Sequence, residues 1–89
     1  MLDVREPEEW SAGHIPGAVH MPLGILDPAA IPHDRIVVAV CRSGNRSNTA
    51  AAVLAAASVD VRNLAGGMKT WARQGRPVTR DDGTPGRIV

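Results

Sequence analysis

Apolar and polar positions along the 89 residues fall into short runs of two kinds, and the runs alternate. "RIVVAV" (Arg35 to Val40) is a continuous β-branched stretch, the pattern of a strand buried on both faces. "MLDVR" (Met1 to Arg5) reads as the end of another strand, the short segment around "AVHMP" as a third, and "VDVRNL" (Val59 to Leu64) as a fourth. Between them lie segments with helical signals. "EPEEWSAG" carries a proline suited to a first turn, acidic residues near its start and Gly13 as a stop. Ser47 to Ala57 is alanine-rich, so a helix there can lie close to a sheet, and Met68 to Arg73 forms a last short helix ended by "QGRP". "LGILDPAAIPHD" has room for one helical turn, broken by Pro28 and Pro32. Strands alternating with helices at this spacing predict an α/β fold: an open parallel sheet with helices on both faces. Residues 1–79 make one domain, and the polar "RDDGTPGRIV" (80–89), with turn signals at Asp82-Gly83 and Pro85-Gly86, reads as a loosely held tail.

Composition narrows the function classes. With Trp10 and Trp71 as the only aromatics of the Phe, Tyr and Trp class, the core has to be built from aliphatic residues and alanine. A net charge of +1 supplies no electrostatic reason for a nucleic-acid or anionic-membrane partner. No apolar run approaches the 18 residues of a membrane span, and with no charged-then-apolar pattern in these residues no export is expected. A single cysteine excludes an internal disulfide and fits a reducing compartment, so the expected location is the cytoplasm.

That cysteine, Cys41, follows the best strand and precedes the best helix. Ligands of open parallel sheets bind at this end of the strands. The intervening loop "CRSGNRS" contains Gly44, which tolerates dihedrals other residues avoid, and Asn45, the next most tolerant type. Such a loop can turn successive N–H groups inward, beside the positive end of the helix, and form an anion-binding nest. Arg42 and Arg46 sit where a helix dipole disfavours cations, unless an anion occupies the loop. A Cys41 thiolate is one such anion and a charged substrate another; the arginines are therefore expected to lower the thiol pKa. From residue types alone, Cys41 remains open between an inert core residue and a nucleophile. His14, His20 and His33 together with Cys41 follow no metal-ligand spacing.

The loop "CRSGNRS" resembles the active-site loop of rhodanese-domain sulfurtransferases. "LDVREPEEWSAGHIPGAVHMP", the strand "RIVVAVC" and "NLAGGMKTW" resemble further segments of that family, in order, from Leu2 to about Val78. The resemblance implies a rhodanese-like fold and a two-step transfer: Cys41 takes sulfane sulfur from a small anionic donor such as thiosulfate, and the persulfide passes it to cyanide or an external thiol. It implies no cofactor and no metal. Arg42, Ser43, Gly44, Asn45, Arg46 and Ser47 become the substrate-binding loop, with Ser47 better placed than Ser43 to meet the sulfur; as alternatives, Ser43 faces solvent and Ser47 only caps the helix. Asp3 and Arg5 match the family's D-x-R pattern. They suit a buried carboxylate and an arginine ion pair near the loop, or a part in shaping the donor entrance. Related phosphatases place five residues between Cys and Arg; four separate Cys41 from Arg46, a ring sized for one sulfur atom. A carrier or interaction module that exchanges persulfide sulfur with partner proteins uses the same loop.

The sequence departs from the family in one respect. Rhodanese domains usually carry a short strand and a helix ahead of the "LDVRE" segment, and that opening unit is missing from these residues. Either the start is assigned late or the chain is cut from something longer. As written, the chain is expected to leave part of its sheet uncovered and to favour self-association or a partner.

Overall fold

A computed structural model describes residues 1–89. Four strands, β1 (Leu2–Asp3), β2 (Val19–His20), β3 (Val37–Val40) and β4 (Val61–Asn63), form one sheet in the order β2-β1-β3-β4. Every pairing is parallel. Leu2 faces Val19 on one side and Ala39 on the other, and Val37 faces Val61. The helices are α1 (Pro7–Ala12), α2 (Asn45–Ala56) and α3 (Gly67–Arg73). The "LGILDPAAIPHD" segment holds two 3-10 turns, Leu23–Ile25 and Pro28–Ala30, rather than one helical turn. Pro28 starts the second turn, and Asp27 caps it by accepting from the Ala29 N–H at 3.0 Å.

Period-two alternation along the strands divides the core between two faces. Leu2, Val4 and Val37 pack with Ala50 and Leu54 of α2 and with Ile31 and Val59. Val40, on the opposite side of β3, packs with Ile15 and with Met68 of α3, flanked by Val38, Leu64 and Trp71. Ala50 is fully buried, as expected of an alanine-rich helix lying close to the sheet. Strand β3 is shorter than the apolar run that predicts it: Arg35 and Ile36 are exposed and lie outside the ladder. Helix α2 starts two residues before the expected Ser47, because Gly44 adopts a left-handed conformation (φ 111°) and launches the helix directly from the loop.

The last ten residues run back over the start of the chain. Thr79 pairs with His14 and with Pro85 in antiparallel bridges, the Arg87 N–H donates to the Ala12 carbonyl at 2.9 Å, and Ile88 packs against the Ile15–Val40–Met68 cluster. Trp10 stacks with two imidazoles: His14 at 3.6 Å and His20 at 4.7 Å between ring centroids. The three histidines each meet a backbone carbonyl, of Trp10, Arg5 and Pro28 respectively. No helix is long and apolar enough to cross a membrane.

The architecture places the end of β3, the start of α2 and the start of α3 beside one another. Gly67 makes this approach possible. A Cβ there would lie 2.4 Å from the Cys41 carbonyl oxygen, and the residue has φ 60°. Met68 and Lys69 then donate their N–H groups to the carbonyls of Cys41 (2.8 Å) and Arg42 (2.9 Å).

Candidate active site

Cys41 is buried immediately after β3, and the six residues that follow wrap around its sulfur. The Gly44 N–H donates to Sγ at 2.9 Å, and the Ser47 hydroxyl donates to it at 3.3 Å. The geometry follows from the chain itself. With the Cys41 and Arg42 carbonyls held outward by α3, the amides of the loop are left facing the sulfur. Burial pushes the thiol pKa up and is the largest single influence. The Ser47 hydroxyl and the N–H groups of Ser47, Gly44 and Ser43 push it down, and together they prevail, so Cys41 sits below the ordinary thiol range.

The hydroxyl and amide donors take the leading part expected of the arginines, although Arg46 and a Cys41 thiolate still attract one another. Arg46 turns its guanidinium onto Glu9 of α1, with Nη1 to Oε1 at 2.5 Å and Nη2 to Oε2 at 2.8 Å. Pairing with Glu9 offsets part of the Arg46 charge at the sulfur, where the Ser47 hydroxyl and the loop amides are the leading stabilising influences. Arg42 is exposed and donates from Nε to the Val89 carbonyl at 3.0 Å. Ser43 and Asn45 are exposed, and Asn45 opens α2. Of the six loop residues after Cys41, the structure thus brings Gly44 and Ser47 directly onto the sulfur and gives Arg46 a different partner.

Asp3 and Arg5 pair with one another. Arg5 Nη2 donates to Asp3 Oδ2 at 2.8 Å and to the Gly13 carbonyl at 2.7 Å, and the Arg5 backbone N–H donates to Asp3 Oδ1 at 3.0 Å. Both side chains are essentially inaccessible.

Two contributors lie outside the set of residues singled out from the sequence. Glu9 is one: its first-turn position is accounted for by the helix dipole, and nothing local points to a residue 37 positions away. Asn63, at the end of β4, is the other. Its side-chain carbonyl accepts from the Ser47 hydroxyl, while its Nδ2 points to the Gly44 carbonyl at 3.4 Å. Its signal was available, because the carboxyl end of a strand next to β3 is where a parallel sheet positions polar side chains near a ligand. One Ser47 proton therefore faces three acceptors: Cys41 Sγ, Asn63 Oδ1 and, at 3.2 Å, the Gly44 carbonyl. Ionisation of Cys41 strengthens the sulfur's claim on it.

Comparison with known proteins agrees with this picture. Residues 1–74 match the Rhodanese-like domain family. A protein named Sulfurtransferase from Allochromatium vinosum is 41% identical over 86 residues, covering 93% of this chain and 80% of that protein. A Mycobacterium tuberculosis protein named "Probable adenylyltransferase/sulfurtransferase MoeZ" is 40% identical over 82 residues, covering 86% of this chain but 21% of that protein. Among solved structures, a rhodanese-related protein from Thermoplasma volcanium superposes with a TM-score of 0.84 at 31% identity, covering 88% of this chain and 80% of that one. The chain belongs to the rhodanese-like domain family, and its open parallel sheet with α2 and α3 on opposite faces is the family's fold.

Proposed function

We propose that this domain is a sulfurtransferase that moves sulfane sulfur from a donor such as thiosulfate to a thiophilic acceptor, cyanide or a thiol, through a persulfide on Cys41. The observation that carries the reading is the convergence of the Gly44 N–H and the Ser47 hydroxyl on Cys41 Sγ. A buried thiol in an inert core has no need of two donors, whereas a sulfur that must be negative to attack and is negative again when it leaves is stabilised by them. In the first half-reaction the Cys41 thiolate attacks the outer sulfur of thiosulfate. The S–S bond of the donor breaks and sulfite leaves with the electron pair. Sulfite departs as a stable anion, so no general acid is required. In the second half-reaction the acceptor attacks the outer sulfur of the persulfide and regenerates the thiolate. Cys41 is the only cysteine in these residues, so the acceptor comes from elsewhere. The sulfurtransferase relative from Allochromatium supports the same chemistry.

The test mixes the protein with thiosulfate, follows the mass of Cys41, and then adds cyanide and measures thiocyanate. The expected result is a gain of one sulfur atom, discharged by cyanide, with both signals lost in Cys41→Ser. Equal thiocyanate production by wild type and Cys41→Ser overturns the proposal.

A further inference from the structure

The loop around Cys41 ends on an arginine whose charge is already partnered. Both carboxylate oxygens of Glu9 engage Arg46, and Glu9 is itself anchored, since its Oε1 also accepts the Glu6 N–H at 3.0 Å in a capping box behind Pro7. Its side chain is 16% exposed, against 34% for Arg46, so the carboxylate is the more enclosed member of the pair. An anion arriving at the loop does not meet a free guanidinium. It meets a charge pair with no net charge, and it must displace a fixed carboxylate to gain Arg46. Arg42 keeps its charge but is exposed, with its Nε donating to the Val89 carbonyl.

We propose that Glu9 is a specificity-determining residue. By neutralising Arg46 it disfavours doubly charged donors and shifts preference towards sulfur donors with one negative charge or none near the transferred sulfur, the chemical class of a thiol persulfide. This deepens the proposed function and rests on Cys41 being the sulfur-accepting thiol. The step balances without an added oxidant. The Cys41 thiolate attacks the outer sulfur of R–S–SH, the donor S–S bond breaks, and R–S⁻ leaves with the electron pair. The proton stays on the transferred sulfur, giving Cys41–S–SH. Thiosulfate uses the same attack, but brings a dianion into a loop whose strongest cation is already satisfied.

The experiment compares alkylation of Cys41 by iodoacetate, an anion, and iodoacetamide, its neutral analogue, in wild type, Glu9→Gln, Arg46→Gln and the double variant. The two reagents share a leaving group and nearly a shape, so their rate ratio reports the local potential apart from thiol reactivity. Gln at position 9 still offers an oxygen to the Glu6 N–H, which preserves the capping box. At low salt the iodoacetate-to-iodoacetamide ratio is expected to rise about threefold in Glu9→Gln and fall about threefold in Arg46→Gln. The double variant, again without net charge at the pair, should return to the wild-type ratio. In single-turnover sulfur loading, Glu9→Gln is expected to accelerate thiosulfate about tenfold but benzenethiosulfonate, a monoanion with the same transferable sulfur, only about threefold. An unchanged alkylation ratio in Glu9→Gln overturns the proposal, as does a thiol that neither reagent reaches. Ratios that move as expected in a protein that never loads sulfur keep the charge effect and sink the sulfur-transfer reading. Sulfur loading with static ratios does the reverse.

Discussion

The molecule contains two pairings of an arginine with a carboxylate through multiple hydrogen bonds, and they serve different ends. Asp3 and Arg5 are two residues apart, at the end of the central strand β1, and are sealed from solvent. Glu9 and Arg46 are 37 residues apart, join α1 to the cysteine loop, and remain partly open to water. In the first pair the arginine also holds the Gly13 carbonyl, tying the strand to the end of α1, and one of its nitrogens, Nη1, is buried without a partner in the chain. Such a pair fixes geometry more than it adds stability, because removing two charges from water costs several kcal/mol that their attraction only about repays. In the second pair the charges stay close to solvent, the desolvation cost is smaller, and the role proposed for it is to set the potential at Cys41. Similar chemistry makes a rivet at one depth and a regulator of charge at another.

Three variants sharpen or break that contrast. The largest effect is expected from Asp3→Asn, which leaves Arg5 buried with no counter-charge. A loss of about 3–5 kcal/mol is expected, enough in a domain this small to lower the melting temperature by more than about 12 °C. A melting temperature within a few degrees of wild type would remove the distinction in depth. Next comes Ser47→Ala, which deletes the hydroxyl donating to Cys41. Hydrogen bonds to charged groups contribute about 1.5–3 kcal/mol, so sulfur loading at neutral pH should slow about tenfold or more. The pH midpoint of iodoacetamide alkylation, below the free-thiol range in wild type, should move upward. A midpoint that stays in place would show that the amides alone hold the thiolate.

The smallest change is the stability of Glu9→Gln. The pair is partly exposed, so solvent screening limits the loss to about 1 kcal/mol or less at neutral pH. Its pH dependence is more telling. The Arg46 hydrogen bonds hold the Glu9 carboxyl below its ordinary value, outweighing burial, which pushes it up. A depressed carboxyl contributes stability that is complete above the ordinary glutamate range, about 4.3, and is lost as pH falls through the lower folded value. Urea unfolding of wild type and Glu9→Gln should therefore differ by a constant amount at neutral pH and converge in acid. A gap that widens on acidification contradicts the assignment.

The order of elements and the position of Cys41 were legible because both are written locally: β-branched runs for strands, glycine and proline as punctuation, and a lone cysteine after the best strand. Gly44 and Ser47 meet the sulfur because a seven-residue loop leaves them few other places to be. The partner of Arg46 was not legible, and that of Ser47 was marked only by its place at the end of a strand. Glu9 lies before two strands and Asn63 after a helix, and the sheet order that brings them to one end is a property of the whole chain. Sequence reading assigned the arginines to the anion because no local feature showed a carboxylate waiting for one of them. The expected ends of β3 and α2 were off for a simpler reason. Apolar content marks burial, whereas hydrogen bonding begins and stops where the backbone turns, at Ile36 and Gly44.

The contact between Gly67 and the carbonyls of Cys41 and Arg42 bears on how small a working piece of this protein can be. Helix α3 carries none of the residues that touch the sulfur, yet its first amides grip the far side of the loop. A truncation ending before Met68 would keep the whole "CRSGNRS" segment but remove the N–H groups that hold the Cys41 and Arg42 carbonyls. The smallest fragment that keeps the loop's donors around the Cys41 sulfur therefore extends well past the loop itself.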